Sequence, residues 1–436
     1  MQAINWASLS DADREKLLAR PAQAQPEVLR QQVADIIAAV QRDGDKAVLE
    51  YTRRFDAPEL EQLAYPAAEI AAQAAKLDAA TQAAIDTAYD TIYAFHQAQQ
   101  PQPVTVETAP GVVCSQRYHG LSAVGLYIPG GTAVLPSTAL MLGVPSQLAG
   151  CQRRVLVSPP AADGSLSPAL MYVAQKCGIT EVYRCGGAQA VAALAYGTES
   201  IAPVVKIFGP GNSYVTQAKQ WVSQDPQGCA IDMPAGPSEL MVIADATANP
   251  DYVAADLLSQ AEHGPDSQVI LVSPSAQLIA ATADALQSQL VSLPRAAIAE
   301  QALASSALIQ VDSLATAVEI SQRYAPEHLS IQVDDTETLL PQLTHAGSIF
   351  VGHYTPESGG DYATGTNHVL PTYGFAKNYS SLGLLDFYRR YTVQEATREG
   401  LRGLSSAIIQ LAETEGLSAH ARAVSIRLDD SQGNAS

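Results

Sequence analysis

Apolar residues near the start of this 436-residue chain return at helical spacing, with Val28, Val33, Ile36 and Ile37 on one stripe and Pro26 placed to open the helix. The first hundred residues therefore read as helical. From Ser122 the period changes. Short β-rich runs (AVGLYI, RVLVS, EVYRC, VVKIFG) alternate with helical stretches, one of them bracketed by Ser167-Pro168 and Gly178. After Asp232 the alternation resumes with ELMVIA, SQVILVS, ALIQV, HLSIQV and SIFVG, each but the last followed by a helical pattern. Strand and helix in turn predict an α/β fold of two lobes, each around a mostly parallel sheet. Residues 352–381 are rich in Gly, Tyr and Thr and carry neither period, as functional loops do. From about Thr392 the chain returns to helices. No repeat of fixed period is visible.

Composition narrows the class. With 47% apolar and 16% charged residues the chain lies outside the disordered range, and its length suits two large lobes with appended pieces. Lys and Arg total 25 against 44 Asp and Glu, a net charge of −19 that repels a phosphate backbone, so nucleic acid is not an expected partner. No apolar run reaches the span of a bilayer, so no membrane is expected either. The N-terminus lacks both a basic start and an apolar core, which points to the cytoplasm. Five cysteines (Cys114, Cys151, Cys177, Cys185, Cys229) without a C-x-x-C pair argue against a disulfide framework and a thiolate zinc knot.

Three strand-to-helix turns carry glycines: Gly130-Gly131, Gly186-Gly187, and Gly209-Pro210-Gly211-Asn212-Ser213-Tyr214. Amides at a helix start can face an anion, although each turn alone equally serves chain reversal. Tyr214 stands where a dinucleotide fingerprint has its third glycine, so the standard Rossmann signature is absent. The histidines concentrate late: His96 and His119 come early, whereas His263, His328, His345, His353, His368 and His420 fall in the second half. Asn249 and Pro250 cap a helix with a buried stripe of Val253, Leu257 and Ala261; Asp256, Gln260 and His263 share another face. Spacing i, i+3 suits a pair of metal ligands, and it equally suits a histidine complementing a helix end. Pro326 ends a helix just before Glu327 and His328, a carboxylate beside an imidazole that suits proton abstraction or an ordinary exposed turn. Asp361 and His368 lie in the glycine-rich loop, and Glu415 and His420 flank a break in the tail.

Taken together, the segments GLYIPGGTA, GGAQAVAALAYGTES, KIFGPGN, AIDMPAGPSEL, DLLSQAEHGPDSQ, APEHLS, ESGGDYATGTNHVLPTYG and GLSAHARAVSIRL resemble the histidinol dehydrogenase family nearly end to end. Its members oxidise L-histidinol to L-histidine through L-histidinaldehyde, reducing one NAD+ at each of two steps. The resemblance implies two incomplete Rossmann-like lobes with a helical N-terminal arm (1–25), a substrate and zinc lobe (26–121 with 237–381), an NAD lobe (122–236) and a helical tail (382–436). It implies a zinc site of Gln260, His263, Asp361 and His420, NAD contacts at Tyr127, Gln189 and Asn212, and an acid–base pair of Glu327 and His328. Ser238 and Glu415 match substrate contacts, joined by Gln260, His263, His328, Asp361 and His420, with His368 framing the pocket. It further implies an intertwined homodimer in which His420 reaches the partner's site. A zinc hydrolase with Glu327 as base and a non-catalytic NAD- or histidine-responsive protein are the rival readings. One feature fits poorly: Glu327 and His328 precede a strand, whereas sites in open α/β sheets usually lie beyond the carboxyl ends.

Overall fold

The computed structural model describes residues 3–21, 26–130, 135–234 and 236–429. In chain order its strands are β1 Ala3–Asn5, β2 Val104–Ala109, β3 Val112–Gly120, β4 Ala123–Tyr127, β5 Arg153–Ser158, β6 Glu181–Arg184, β7 Lys206–Phe208, β8 Ala230–Ile231, β9 Glu239–Ala244, β10 Gln268–Ser273, β11 Ala307–Gln310, β12 His328–Gln332, β13 Ser348–Val351 and β14 Tyr388–Ala396. They form a five-stranded sheet in the order β6-β5-β4-β7-β8, a six-stranded sheet in the order β1-β11-β10-β9-β12-β13, and a three-stranded sheet in the order β14-β3-β2. The first two are parallel throughout and the third is antiparallel. Every run read as a strand from its apolar pattern is one, from β4 to β7 and from β9 to β13.

Both parallel sheets are buried on two faces, as helical crossovers require. Along β9, Leu240, Val242 and Ala244 pack on one side with Val253, Leu257 and Ala261 of the Pro250–Ala261 helix. Met241 and Ile243 point to the other side, among Ile309, Ile320 and Leu329. Asn249 caps the helix by accepting from the Asp251 amide, an interaction that typically contributes about 1 kcal/mol.

Four features differ from the sequence reading. Residues 26–97 lie mainly on the first sheet: Val33, Ile36 and Ile37 join Val155, Val191 and Val215 on one face, and Ile85, Ala88 and Ile92 join Leu126, Met141 and Leu142 on the other, while His96 also meets Asn367 of the 352–381 loop. That sheet's own crossover helices leave apolar surface that these N-terminal helices cover. The arm expected over 1–25 opens with a strand, β1, which adds to the edge of the second sheet beside β11; its residues 1–2 and 22–25 lie outside the described residues. Residues 104–120 form a hairpin with a turn at Gly111 (φ +74°). The tail begins as a strand: β14 runs along β3 before the Arg398–Thr414 and Ser418–Leu428 helices. β1 is too short to display a period, and β2 and β14 are largely exposed, so burial imposes no strong alternation on them.

The two lobes are tied together through the 352–381 loop. Asn367 Nδ2 donates to the Met141 carbonyl at 2.7 Å, and Thr138 Oγ1 and His368 Nε2 are 3.1 Å apart. No helix among the described residues is long and apolar enough to cross a membrane.

Candidate active site

The carboxyl ends of β4, β6 and β7 lie on one edge of the first sheet because the strands run parallel, and the glycine turns follow them. The Tyr127 hydroxyl accepts from the Gly187 amide at 3.0 Å, linking two of these turns. Gln189 is buried in the first turn of the Gly187–Tyr196 helix. Asn212 is exposed and caps the Ser213–Gln224 helix, accepting from the Tyr214 and Val215 amides at 3.1 and 3.2 Å. The third turn is pinned from below: the Gly209 amide donates to Asp232 at 2.7 Å, and Lys219, ion-paired to Asp232, donates to the Gly209 carbonyl. Gly131 lies outside the described residues.

The second group gathers at the amino ends of β9 and β12. Their parallel pairing sets His328 opposite Leu240, so Ser238 and Glu239 emerge beside Glu327 and His328. Ala325 adopts a left-handed conformation (φ 52°) at the end of the Leu314–Tyr324 helix, and this turns Pro326 and Glu327 inward. Glu327 and His328 are 7% and 3% exposed, so the exposed-turn alternative for them is set aside. The Glu239 amide donates to Glu327 Oε2 at 2.8 Å. His328 Nδ1 lies 3.1 Å from the Glu239 carbonyl oxygen, which can only accept, so Nδ1 carries the hydrogen and Nε2 the lone pair. Burial lowers the imidazole to a pKa of about 4, leaving it neutral near pH 7.

His328 Nε2 faces acids from the Glu357–Tyr362 helix, at 3.6 Å from Glu357 Oε1 and 3.9 Å from Asp361 Oδ1. Asp361 Oδ2 lies 3.9 Å from His263 Nε2, and Ser238 Oγ is 3.3 Å from His263 Nδ1. His368 approaches from the loop, its Nδ1 2.9 Å from the Asp361 carbonyl oxygen. Gln260, His263, Asp361, Ser238, Glu327, His328 and His368 are thus brought into one site. Glu415 and His420 are not: both are exposed on a tail whose helices touch one another, β14 and β2. Glu357 was missed by the sequence reading. It is fully buried and accepts from Ser259 Oγ at 2.8 Å. The available signal was its i, i+4 spacing to Asp361, hidden because the segment carries no apolar period.

The donors fit a divalent cation. Among the described residues neither atom of the fully buried Gln260 amide has a hydrogen-bond partner, and neither does Glu357 Oε1. Each such group costs on the order of 1–3 kcal/mol, and ligation through the Gln260 oxygen removes that oxygen's share. Burial, with Glu357 nearby, pushes Asp361 up to about 8, and burial also raises Glu357 and Glu327. A cation among mutually repelling carboxyl groups lowers the cost of their charge. Ligand atoms of His328, Glu357 and Asp361 lie within 4.8 Å of one another, a grouping that shares only Asp361 with the set implied by resemblance. The orphaned Gln260 amide and the 3.9 Å approach of His263 Nε2 to Asp361 suit the latter.

A profile of the family described as Histidinol dehydrogenase matches residues 18–428. Histidinol dehydrogenase from Idiomarina loihiensis is 63% identical over 424 residues, covering 97% of this chain and 96% of that one. The Vibrio parahaemolyticus enzyme is 55% identical over 429 residues, covering 98% and 99%. The crystal structure of histidinol dehydrogenase from Elizabethkingia anophelis superposes with a TM-score of 0.94 at 44% identity, covering 98% of each chain. The likeness runs through both lobes and every segment that builds the site, and on it the chain belongs to the histidinol dehydrogenase family.

Proposed function

We propose that this protein carries out the terminal step of histidine biosynthesis in the cytoplasm, oxidising L-histidinol to L-histidine through L-histidinaldehyde with NAD and zinc. The observation that carries this reading is the buried Glu327–His328 pair beside an orphaned amide, an imidazole and a carboxyl able to hold a metal. When bound, NAD accepts hydride at each step, and zinc, held by Gln260, His263, Asp361 and a partner's tail, orients the substrate's imidazole and amine.

The chain's own residues move the protons. His328 Nε2 takes the proton of the substrate hydroxyl, its tautomer held by the Glu239 carbonyl. Glu327 then removes a proton from the water that adds to the aldehyde, anchored meanwhile by the Glu239 amide. Ser238 and Glu415 contact the substrate, and His368 holds Asp361 in place. On the other lobe Tyr127, Gln189 and Asn212 line the nucleotide's edge. Because Glu415 and His420 stand clear of their own chain's site, a homodimer supplying them from its second copy completes it. Exposed Leu411, Leu417 and Ile426 on the tail give such a copy apolar surface to cover.

The test is direct. Protein mixed with L-histidinol and NAD+ should raise nicotinamide absorbance, lose this on thorough chelation and regain it with zinc. Turnover by rigorously metal-free protein removes zinc from the reading, and no turnover under any condition removes the reaction. A zinc hydrolase built on the same ligands would need no nucleotide.

A further inference from the structure

Residue 239 holds both members of the acid–base pair through its backbone: its amide donates to Glu327 and its carbonyl accepts from His328. The position of this one residue's backbone therefore fixes where the carboxylate sits and which imidazole nitrogen is free. The side chain of Glu239, 2% exposed, is held in turn. Its Oε1 accepts from Arg20 Nε at 2.7 Å and from the Tyr373 amide at 2.8 Å, and its Oε2 accepts from Arg20 Nη2 at 3.0 Å.

Arg20 reaches further. Its Nη2 donates to the Tyr324 carbonyl at 2.7 Å and lies 3.4 Å from that of Ala325, the left-handed residue of the turn leading to Glu327. Its guanidinium lies 3.9 Å from the centroid of the Tyr324 ring. The Tyr324 hydroxyl donates to Gln268 Oε1 at 2.8 Å, and Gln268 pairs in register with Glu239. One planar fork thus joins the N-terminal arm, the start of β9, the turn before β12 and the loop carrying Tyr373. No lysine can reproduce a bidentate grip on a carboxylate together with a carbonyl bond and a ring contact.

We propose that Arg20 is a positioning residue for the reaction: by clamping Glu239 against the Tyr324–Ala325 turn, it sets the residue-239 backbone that holds Glu327 and His328 in their working geometry. Arg20 touches neither Glu327 nor His328 among the contacts described above, so it acts only through Glu239 and the turn. This inference rests on reading Glu327 and His328 as the acid–base pair, and the wild-type protein must first oxidise histidinol; its failure to do so defeats that reading before any Arg20 variant bears on this one.

Given wild-type turnover, Arg20→Ala should lower kcat about 100-fold, the scale expected of a small misplacement of reacting groups, while KM for histidinol and for NAD+ and the zinc content per chain stay close to wild type. Arg20→Lys, which keeps the charge and loses the fork, should lose roughly tenfold. Added methylguanidinium should restore part of the Arg20→Ala rate and leave the wild type unchanged. A folded Arg20→Ala protein with kcat within threefold of wild type overturns the proposal. So does a loss that tracks a lowered melting temperature and is repaired by neither lysine nor methylguanidinium, which marks a purely structural pair. If Arg20→Ala does not fold, Arg20→Lys carries the test: wild-type kcat in that variant overturns the clamp, and a lowered kcat with unchanged KM and zinc content supports it.

Discussion

His328 and Glu327 are adjacent in sequence, yet their surroundings give them different work. The imidazole is buried, neutral and tautomerically fixed, whereas the carboxyl is raised by burial and by neighbouring acids. Glu327→Gln should therefore slow oxidation of supplied histidinaldehyde by roughly 100-fold or more while sparing the first hydride transfer, and His328→Asn should slow the first transfer instead. Single-turnover nicotinamide absorbance separates the steps, and equal damage to both refutes the division. Asp256 makes a stability prediction. Burial raises its carboxyl to about 7 against a hydrogen bond from the Glu357 backbone, and its Oδ2 accepts from Gln332 Nε2 at 2.9 Å. A folded-state pKa above the unfolded one means that its stabilisation is complete below about pH 4 and is lost as pH rises through about 7. Asparagine keeps the acceptor and discards the charge. Asp256→Asn should thus gain about 1–4 kcal/mol over wild type at pH 8 and almost nothing at pH 4, read by denaturant unfolding at each pH. The spacing of Gln260 and His263 was legible in sequence; the depth of Gln260 and the part played by Glu357 were not, because burial depends on what other segments pack against them.

At the scale of elements, turns decide the chemistry. Gly209 has φ +120°, a conformation open essentially to glycine, and a Cβ there would overlap the Tyr127 carbonyl. The glycine turns after β4 and β7 are therefore packed against one another as a unit. If the proposed NAD and zinc sites are right, Gly209→Ala should raise KM for NAD+ roughly tenfold while leaving zinc content unchanged, since the proposed metal ligands lie on the other lobe. Nicotinamide kinetics beside metal analysis check this, and unchanged NAD+ affinity in a folded variant rules the turn out as a nucleotide contact. The glycine turns and the caps at Asn249 and Asn212 were readable because turn and cap chemistry is local. Ala325 in the left-handed region was not, since its neighbours, rather than its own preference, hold it there.

The whole molecule places the two sheets so that one offers its carboxyl edge and the other its amino edge. The candidate site at the amino ends of β9 and β12 departs from the usual rule for open α/β sheets because the 352–381 loop and the Pro250–Ala261 helix both bring polar side chains to that edge. The proposed shared site can be tested by mixing chains. His263→Ala and His420→Ala chains, each inactive alone, should regain about a quarter of wild-type activity when mixed in equal amounts and allowed to exchange. Random pairing makes about half the dimers mixed, each with one intact site. Verified exchange without recovery shows that each tail closes on its own chain.

Local pattern alone determined the nine strands from β4 to β7 and from β9 to β13, the helix that carries Gln260, the glycine turns and, through motifs spread along the chain, the family. Each depends on residues close in sequence or on residue identities that need no coordinates. Only the tertiary structure decided that residues 26–97 cover the first sheet, that β1 and β14 extend two sheets, that Glu357 joins the site, and that Arg20 meets Glu239 across 219 positions. Such pairings satisfy buried charge and bare apolar faces left over when the local elements come together. They are therefore set by what the rest of the chain leaves unpaired, and no local pattern records that.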